Sequence, residues 1–153
     1  MIKFTVFGAT QAQERSGNQI RAGKSGKQYV HHYDQPKSAD FKKLVQLYCM
    51  EAMSRAKQRD PLEGMLVLSI RVYRKIPKAF GKVKRVQAVQ GDLRPITKPD
   101  LKNYIWGIED SLNGIAWKDD SQIISFDGSG KYYTDGTERA EVEIRQWAGD
   151  IPF

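Results

Sequence analysis

The chain has 153 residues, with 25 Lys and Arg against 18 Asp and Glu, for a net charge of +7. That length suits one domain over residues 1–153, and 40% hydrophobic with 28% charged residues excludes a disordered chain. No apolar run reaches the ~18–20 residues that span a bilayer, which argues against a membrane protein.

Met1–Phe7 reads as a short strand and lacks the long apolar stretch of a signal peptide. Residues 8–37, rich in Gly, Gln, Arg and Lys, read as a long basic loop with a short strand at Gln28–Val30. Loops of this length inside a compact domain are usually functional or disordered. Ser38 is expected to cap a helix running to about Lys57. Its stripe is Phe41, Leu44, Val45, Tyr48, Ala52 and Ala56, with Lys42, Lys43, Gln46, Glu51 and Arg55 toward water. Cys49, the sole cysteine, lies beside that stripe as a small core residue. It excludes an internal disulfide and a cysteine-based zinc site, and suits a reducing cytoplasm.

Leu66, Leu68, Ile70 and Val72 alternate as one strand face. Pro77, Gly81, Gly91, Pro95 and Pro99 then punctuate a second basic loop, at about 75–98. Leu101, Tyr104, Ile105, Ile108 and Leu112 predict a second helix, ended by Asn113-Gly114. Strands are expected at Gln122–Phe126, from Lys131 to Thr134, and through Ala140, Val142 and Ile144. The fold class is therefore α+β, a small mixed or antiparallel sheet with two main helices.

The charge is unevenly spread. Residues 1–70 carry +5, residues 71–99 carry nine basic and one acidic residue for +8, and residues 100–153 carry −6. The sign reverses at Asp100. Cations that hold phosphates beside carboxylates that hold a metal would suit an enzyme acting on a polyanion. Lys78, Lys82, Lys84, Arg85, Arg94 and Lys98 are the candidate DNA contacts, and the same residues also fit a simply solvated loop.

A serine triad is not supported, since the histidines are the adjacent His31 and His32 and no Gly-x-Ser-x-Gly elbow occurs. No Walker or Gly-x-Gly-x-x-Gly loop is present either, so no nucleotide cofactor is expected. Neighbouring histidines on a strand point apart and chelate poorly. Asp100, Asp119 and Asp120 are the better lead for a hard cation. A helix from Asp100 to Leu112 spans roughly 18 Å, and seven extended residues from Gly114 span roughly 23 Å. The chain could therefore return Asp120 to Asp100. Asp100 as a plain helix cap and Asp119-Asp120 as turn residues remain equally open.

The run Thr97-Lys98-Pro99-Asp100-Leu101-Lys102-Asn103, then Asp110-Ser111-Leu112-Asn113-Gly114, then Trp117-Lys118-Asp119-Asp120-Ser121-Gln122-Ile123 resembles the RusA family of Holliday junction resolvases. The family is common in phages and prophages. Its hallmark is Lys-Pro-Asp-x-Asp-Asn, Asp-Ala-Leu-Asn-Gly and Trp-x-Asp-Asp-x-Gln-Val/Ile. The resemblance implies a RusA-like fold and a homodimeric, Mg²⁺-dependent endonuclease, with Mn²⁺ as a substitute, cutting four-way DNA junctions in recombination and repair. It implies Asp100, Asp119 and Asp120 as metal residues and Asp100 and Asp120 as catalytic. The family's second aspartate falls on Lys102 and its catalytic lysine on Trp106. Three outcomes follow: Lys102 takes over the catalytic lysine's role, or the protein binds junctions but cuts poorly, or cleavage is lost.

Overall fold

The computed structural model describes residues 1–13, 17–33 and 36–149. Its main sheet combines β1 (Ile2–Phe7), β4 (Leu66–Lys75), β5 (Ile123–Ser125), β6 (Gly130–Thr134) and β7 (Arg139–Gln146). The helices are α1 (Pro36–Arg55), α2 (Lys82–Gln90) and α3 (Leu101–Leu112), and β2 (Gly17–Ala22) pairs with β3 (Gln28–Tyr33) as a separate hairpin. This is a mixed α+β domain.

Strand alternation accounts for the core. β7 runs antiparallel between β1 and β4, and the register aligns three rows: Ile2–Ile144–Leu68, Phe4–Val142–Ile70 and Val6–Ala140–Val72. All nine side chains are buried. Cross-strand apolar rows of this kind are the unit that stabilises a sheet. The opposite face carries Lys3, Glu143, Thr5, Glu141 and Arg71 in register. There Lys3 pairs with Glu143 at 3.4 Å and Arg139 with Glu141 at 2.9 Å.

β5 and β6 both lie parallel to β4 along one edge, beside Leu66–Val67 and Arg71–Lys75 respectively. The turn between them takes over the missing ladder: Ser129 Oγ accepts the Ile70 N–H at 2.9 Å, and Ser69 Oγ donates to the Asp127 carbonyl. Gly128 sits there at φ +84°, where an added Cβ would come 3.2 Å from Ser69 Oγ. Close approach and left-handed backbone both select glycine.

Helix α1 buries Ser38, Phe41, Lys42, Val45, Cys49, Ala52 and Met53, while Leu44 is exposed. This corrects the expected stripe. Pro36 opens the helix, as its fixed φ allows, so Ser38 lies inside it. Cys49 is on the buried face, not beside it. Lys42, expected in water, is 8% exposed and holds Asp110 of α3 at 2.6 Å. Its long aliphatic stem covers apolar surface while the ammonium finds a carboxylate. Burial pushes the Cys49 thiol up to about 11. It should therefore be unreactive toward Ellman's reagent at pH 8 in the native protein, and titrate as one thiol per chain in denaturant. Rapid labelling without denaturant would contradict its burial.

Two segments expected to be loops are structured. Within the 75–98 segment, residues 82–90 form α2, because the glycines that read as loop punctuation serve as its caps. Gly81 is the N-cap, and Gly91 at φ +84° donates back to Gln87 and Ala88, a left-handed end that glycine adopts without strain. Within 8–37, the β2–β3 hairpin closes on Gly23–Lys27, with Gly23 N–H donating to Lys27 O at 2.7 Å. His31 and His32 lie on β3 opposite Gln19 and Asn18.

Candidate active site

The α2 segment is fixed to the sheet at both ends. Ile76 N–H donates to Thr134 O at 3.1 Å. At the far end Arg74 Nη1 reaches Thr97 Oγ1 and the Lys98 carbonyl, both at 3.1 Å. Lys131 Nζ donates to the Thr97 and Pro99 carbonyls at 2.8 and 3.0 Å. Between these anchors runs a stack: Arg139 lies over Tyr73 at 3.9 Å, Tyr73 stacks on Tyr132 at 5.2 Å, and Arg94 lies over Tyr132 at 4.2 Å. Guanidinium groups over aromatic faces attract electrostatically.

Lys78, Lys82, Lys84, Arg85, Arg94 and Lys98 are all exposed. They differ in how free they are. Arg94 is engaged with Tyr132 and with the Gly91 carbonyl, and Arg85 with the Phe80 carbonyl at 3.1 Å. Lys84 lies 5.5 Å over the Phe80 ring. The ammonium groups of Lys78, Lys82 and Lys98 have no partner among the described residues. Helix α2 carries three cations and no acid.

Asp100 occupies the N-cap position of α3, yet its side chain makes no capping bond. An N-cap aspartate ordinarily accepts from the first turn, so this exposed carboxylate is left open for another partner. It borders a cleft of about 480 Å³ whose walls include Arg74, Lys98, Asn103, Glu138 and the segment Ala9–Gln13. Burial pushes the Tyr104 phenol above its ordinary pKa, with Arg74 pulling it down and Glu138 adding to the rise. Both charges thus act on one hydroxyl at this cleft.

Asp119 and Asp120 stand elsewhere. Asp119 caps the short 3₁₀ turn Asp120–Gln122: its carboxylate accepts the Ser121 N–H at 2.8 Å, and Gln122 Oε1 accepts the Asp119 N–H in return. The hydrogen bonds from Ser121 hold the Asp119 carboxyl below its usual range, so this cap persists until pH falls through that lowered value. Asp120 Oδ1 accepts from Trp117 Nε1 at 2.8 Å. Burial pushes Glu109 up, and the charges of Asp120 and Asp110 add to that rise. Asp120 is therefore near Glu109, roughly 14 Å along α3 from Asp100 at ~1.5 Å per residue.

The seven residues expected to run back extended are instead folded. Ile115 and Ala116 N–H both donate to Leu112 O, and Gly114 N–H donates to Trp117 O at 2.8 Å. That turn drives Ala116 and Trp117 into the core. Neither Asp119 nor Asp120 lines the cleft at Asp100, and neither does Lys102, exposed on the first turn of α3. Trp106, 61% exposed, lies one helical turn along from Lys102 on the same outer face.

Mg²⁺ takes hard oxygen donors. Asp100, Asp119 and Asp120 supply them chemically but do not converge on one ion. Among the described residues no three Asp, Glu, His or Cys side chains form a group that could hold a metal.

Comparison with known proteins settles descent. The model of the family described as Endodeoxyribonuclease RusA matches residues 11–145. The chain belongs to the RusA endodeoxyribonuclease family. A relative from Bacillus subtilis (strain 168), Uncharacterized protein YqaN, is 40% identical over 147 residues, spanning 95% of this chain and 96% of that protein. The RusA family comprises nucleases that act on branched DNA. No helix among the described residues is long and apolar enough to cross a membrane.

Sequence reasoning did not single out Glu138 or Asn103 of the cleft. Glu138 arrives through the antiparallel pairing of β7 with β4, a long-range register with no local motif to announce it.

Proposed function

We propose that the protein resolves four-way DNA junctions as an Mg²⁺-dependent endonuclease, with Mn²⁺ as a substitute. It acts as a homodimer in the cytoplasm during recombination and repair of phage or prophage DNA. The observation that carries this reading is the uncapped Asp100 carboxylate, opening into a cleft beside Arg74 and Lys98. The cations would hold the strand's phosphates, and Asp100 would be the central carboxylate at the scissile one. A bound divalent ion would supply Lewis-acid charge there. Asp120, oriented by Trp117, and Asp119 belong to the same reading as further metal residues. The exposed lysines from Lys78 to Lys98 would form the DNA-facing surface. A two-fold dimer would match two active sites to two strands related by the same symmetry.

Incubation with a synthetic four-way junction and Mg²⁺ or Mn²⁺ at low salt tests it. Wild type should nick symmetrically placed strands. Asp100→Asn should nick about 100-fold more slowly while binding the junction normally in EDTA. No nicking by wild type, or cleavage that survives Asp100→Asn or Asp120→Asn, would overturn the reading.

A second reading, junction binding with weak or lost cleavage, is favoured by Lys102 and Trp106 at the positions of the family's second aspartate and catalytic lysine. It expects salt-sensitive junction binding with no divalent requirement.

A further inference from the structure

The cleft at Asp100 holds more unsatisfied polar groups than a structural pocket needs. Asp100 and Glu138 both line it, and neither carboxylate is in an ion pair among the described residues. Arg74 and Lys98 line it too, without pairing to either acid. Arg74 is instead held by Thr97 Oγ1 and the Lys98 carbonyl. From the opposite wall, Thr10 Oγ1 and Gln13 Oε1 are buried atoms with no hydrogen-bond partner. A buried polar atom without a partner costs about 1–3 kcal/mol, so such groups in one cleft mark a place where something else binds.

Glu138 is well fixed for that role. Its backbone carbonyl accepts the Gly8 N–H at 2.8 Å, and its Oε1 accepts the Lys75 N–H at 3.1 Å. One carboxylate oxygen is thereby oriented by the end of β4, which leaves the other for a ligand. Backbone bonds that orient ligating carboxylates are a regular feature of metal centres.

We infer that Glu138 supplies, with Asp100, the carboxylate pair for a hard divalent cation in this cleft, replacing the carboxylate that Lys102 has removed from the family pattern. Gln13 and Thr10 add neutral oxygen donors, and Arg74 and Lys98 hold the phosphodiester beside the ion. Carboxylate, amide and hydroxyl oxygens are the donors that Mg²⁺ and Mn²⁺ prefer. The altered motif at Lys102 then reflects a ligand relocated to the turn before β7. The role of the cleft in cutting DNA rests on the proposed junction-resolving reading; the cation site itself does not.

Titration calorimetry with Mn²⁺ alone, on the full chain without DNA, tests the assignment. Wild type should bind. Glu138→Gln and Asp100→Asn should each weaken binding about tenfold or more, with unfolding temperatures unchanged. Glu138→Asp, which keeps the charge, should retain most of the affinity even if the glutamine variant folds poorly. Wild-type affinity in Glu138→Gln, or no Mn²⁺ binding by wild type, would overturn the inference. Gel shifts of a four-way junction in EDTA, run in parallel, separate the two claims. Junction cleavage with Mn²⁺ binding untouched by Glu138→Gln sinks the Glu138 assignment alone. Mn²⁺ binding through Asp100 and Glu138 with no junction binding sinks the junction reading alone.

Discussion

Trp117→Ala should be the most destabilising single substitution in the domain, costing about 3–5 kcal/mol in urea unfolding. Trp117 is wholly buried and heads the largest fully buried side chains of the core. It also closes the turn after α3, with its carbonyl accepting the Gly114 N–H and its backbone bridging to Leu62. Truncation leaves a large cavity where three chain segments meet, and surrounding side chains refill such cavities only in part. A domain of this size is typically stable by about 5–15 kcal/mol, so the variant would lose a large share of that. Trp117→Phe separates the two roles. It keeps most of the packing but removes the Nε1–H that Asp120 accepts. It should therefore cost less stability while freeing the Asp120 carboxylate. A loss below about 1 kcal/mol for Trp117→Ala would contradict this account of the core.

The second large effect is on DNA. Replacing Lys82, Lys84 and Arg85 together by Ala should reduce the slope of log affinity against log salt by roughly 2–3 units, because each phosphate neutralised contributes about 0.9. All three side chains are exposed on α2, and alanine has the highest helix propensity, so the helix should survive. Filter-binding or anisotropy across a salt series reads the slope directly. An unchanged slope would remove α2 from the interface and leave the cleft cations Arg74 and Lys98 as the phosphate contacts.

The elements with strong periodicity were legible from the residues. The alternation of Ala140, Val142 and Ile144 and the period of Tyr104, Ile108 and Leu112 identify buried faces that the structure shares. Helix α2 was hidden because its valines, Val83, Val86 and Val89, are exposed, and because its capping glycines resemble loop breaks. Lys42 was misplaced because local sequence cannot reveal that Asp110, 68 residues away, waits beside it. For the site, Asp100 was legible through its motif and its place at the charge reversal. Glu138 was not, since a lone acid after a turn has no signature until sheet register carries it to the cleft wall. The expected return of Asp120 to Asp100 used a correct reach for an extended chain. Burial of Ala116 and Trp117 drew that segment into a compact turn instead.

The stack of Arg139, Tyr73, Tyr132 and Arg94 has a kinetic consequence. Because it joins the basic segment to the sheet before any ligand arrives, α2 meets DNA already in its docking orientation. No ordering entropy is then due on association, and the encounter rate should be set by electrostatic steering alone. Loosening the stack, for example with Tyr132→Ala, would show itself as a slower on-rate at constant salt rather than as a lost contact.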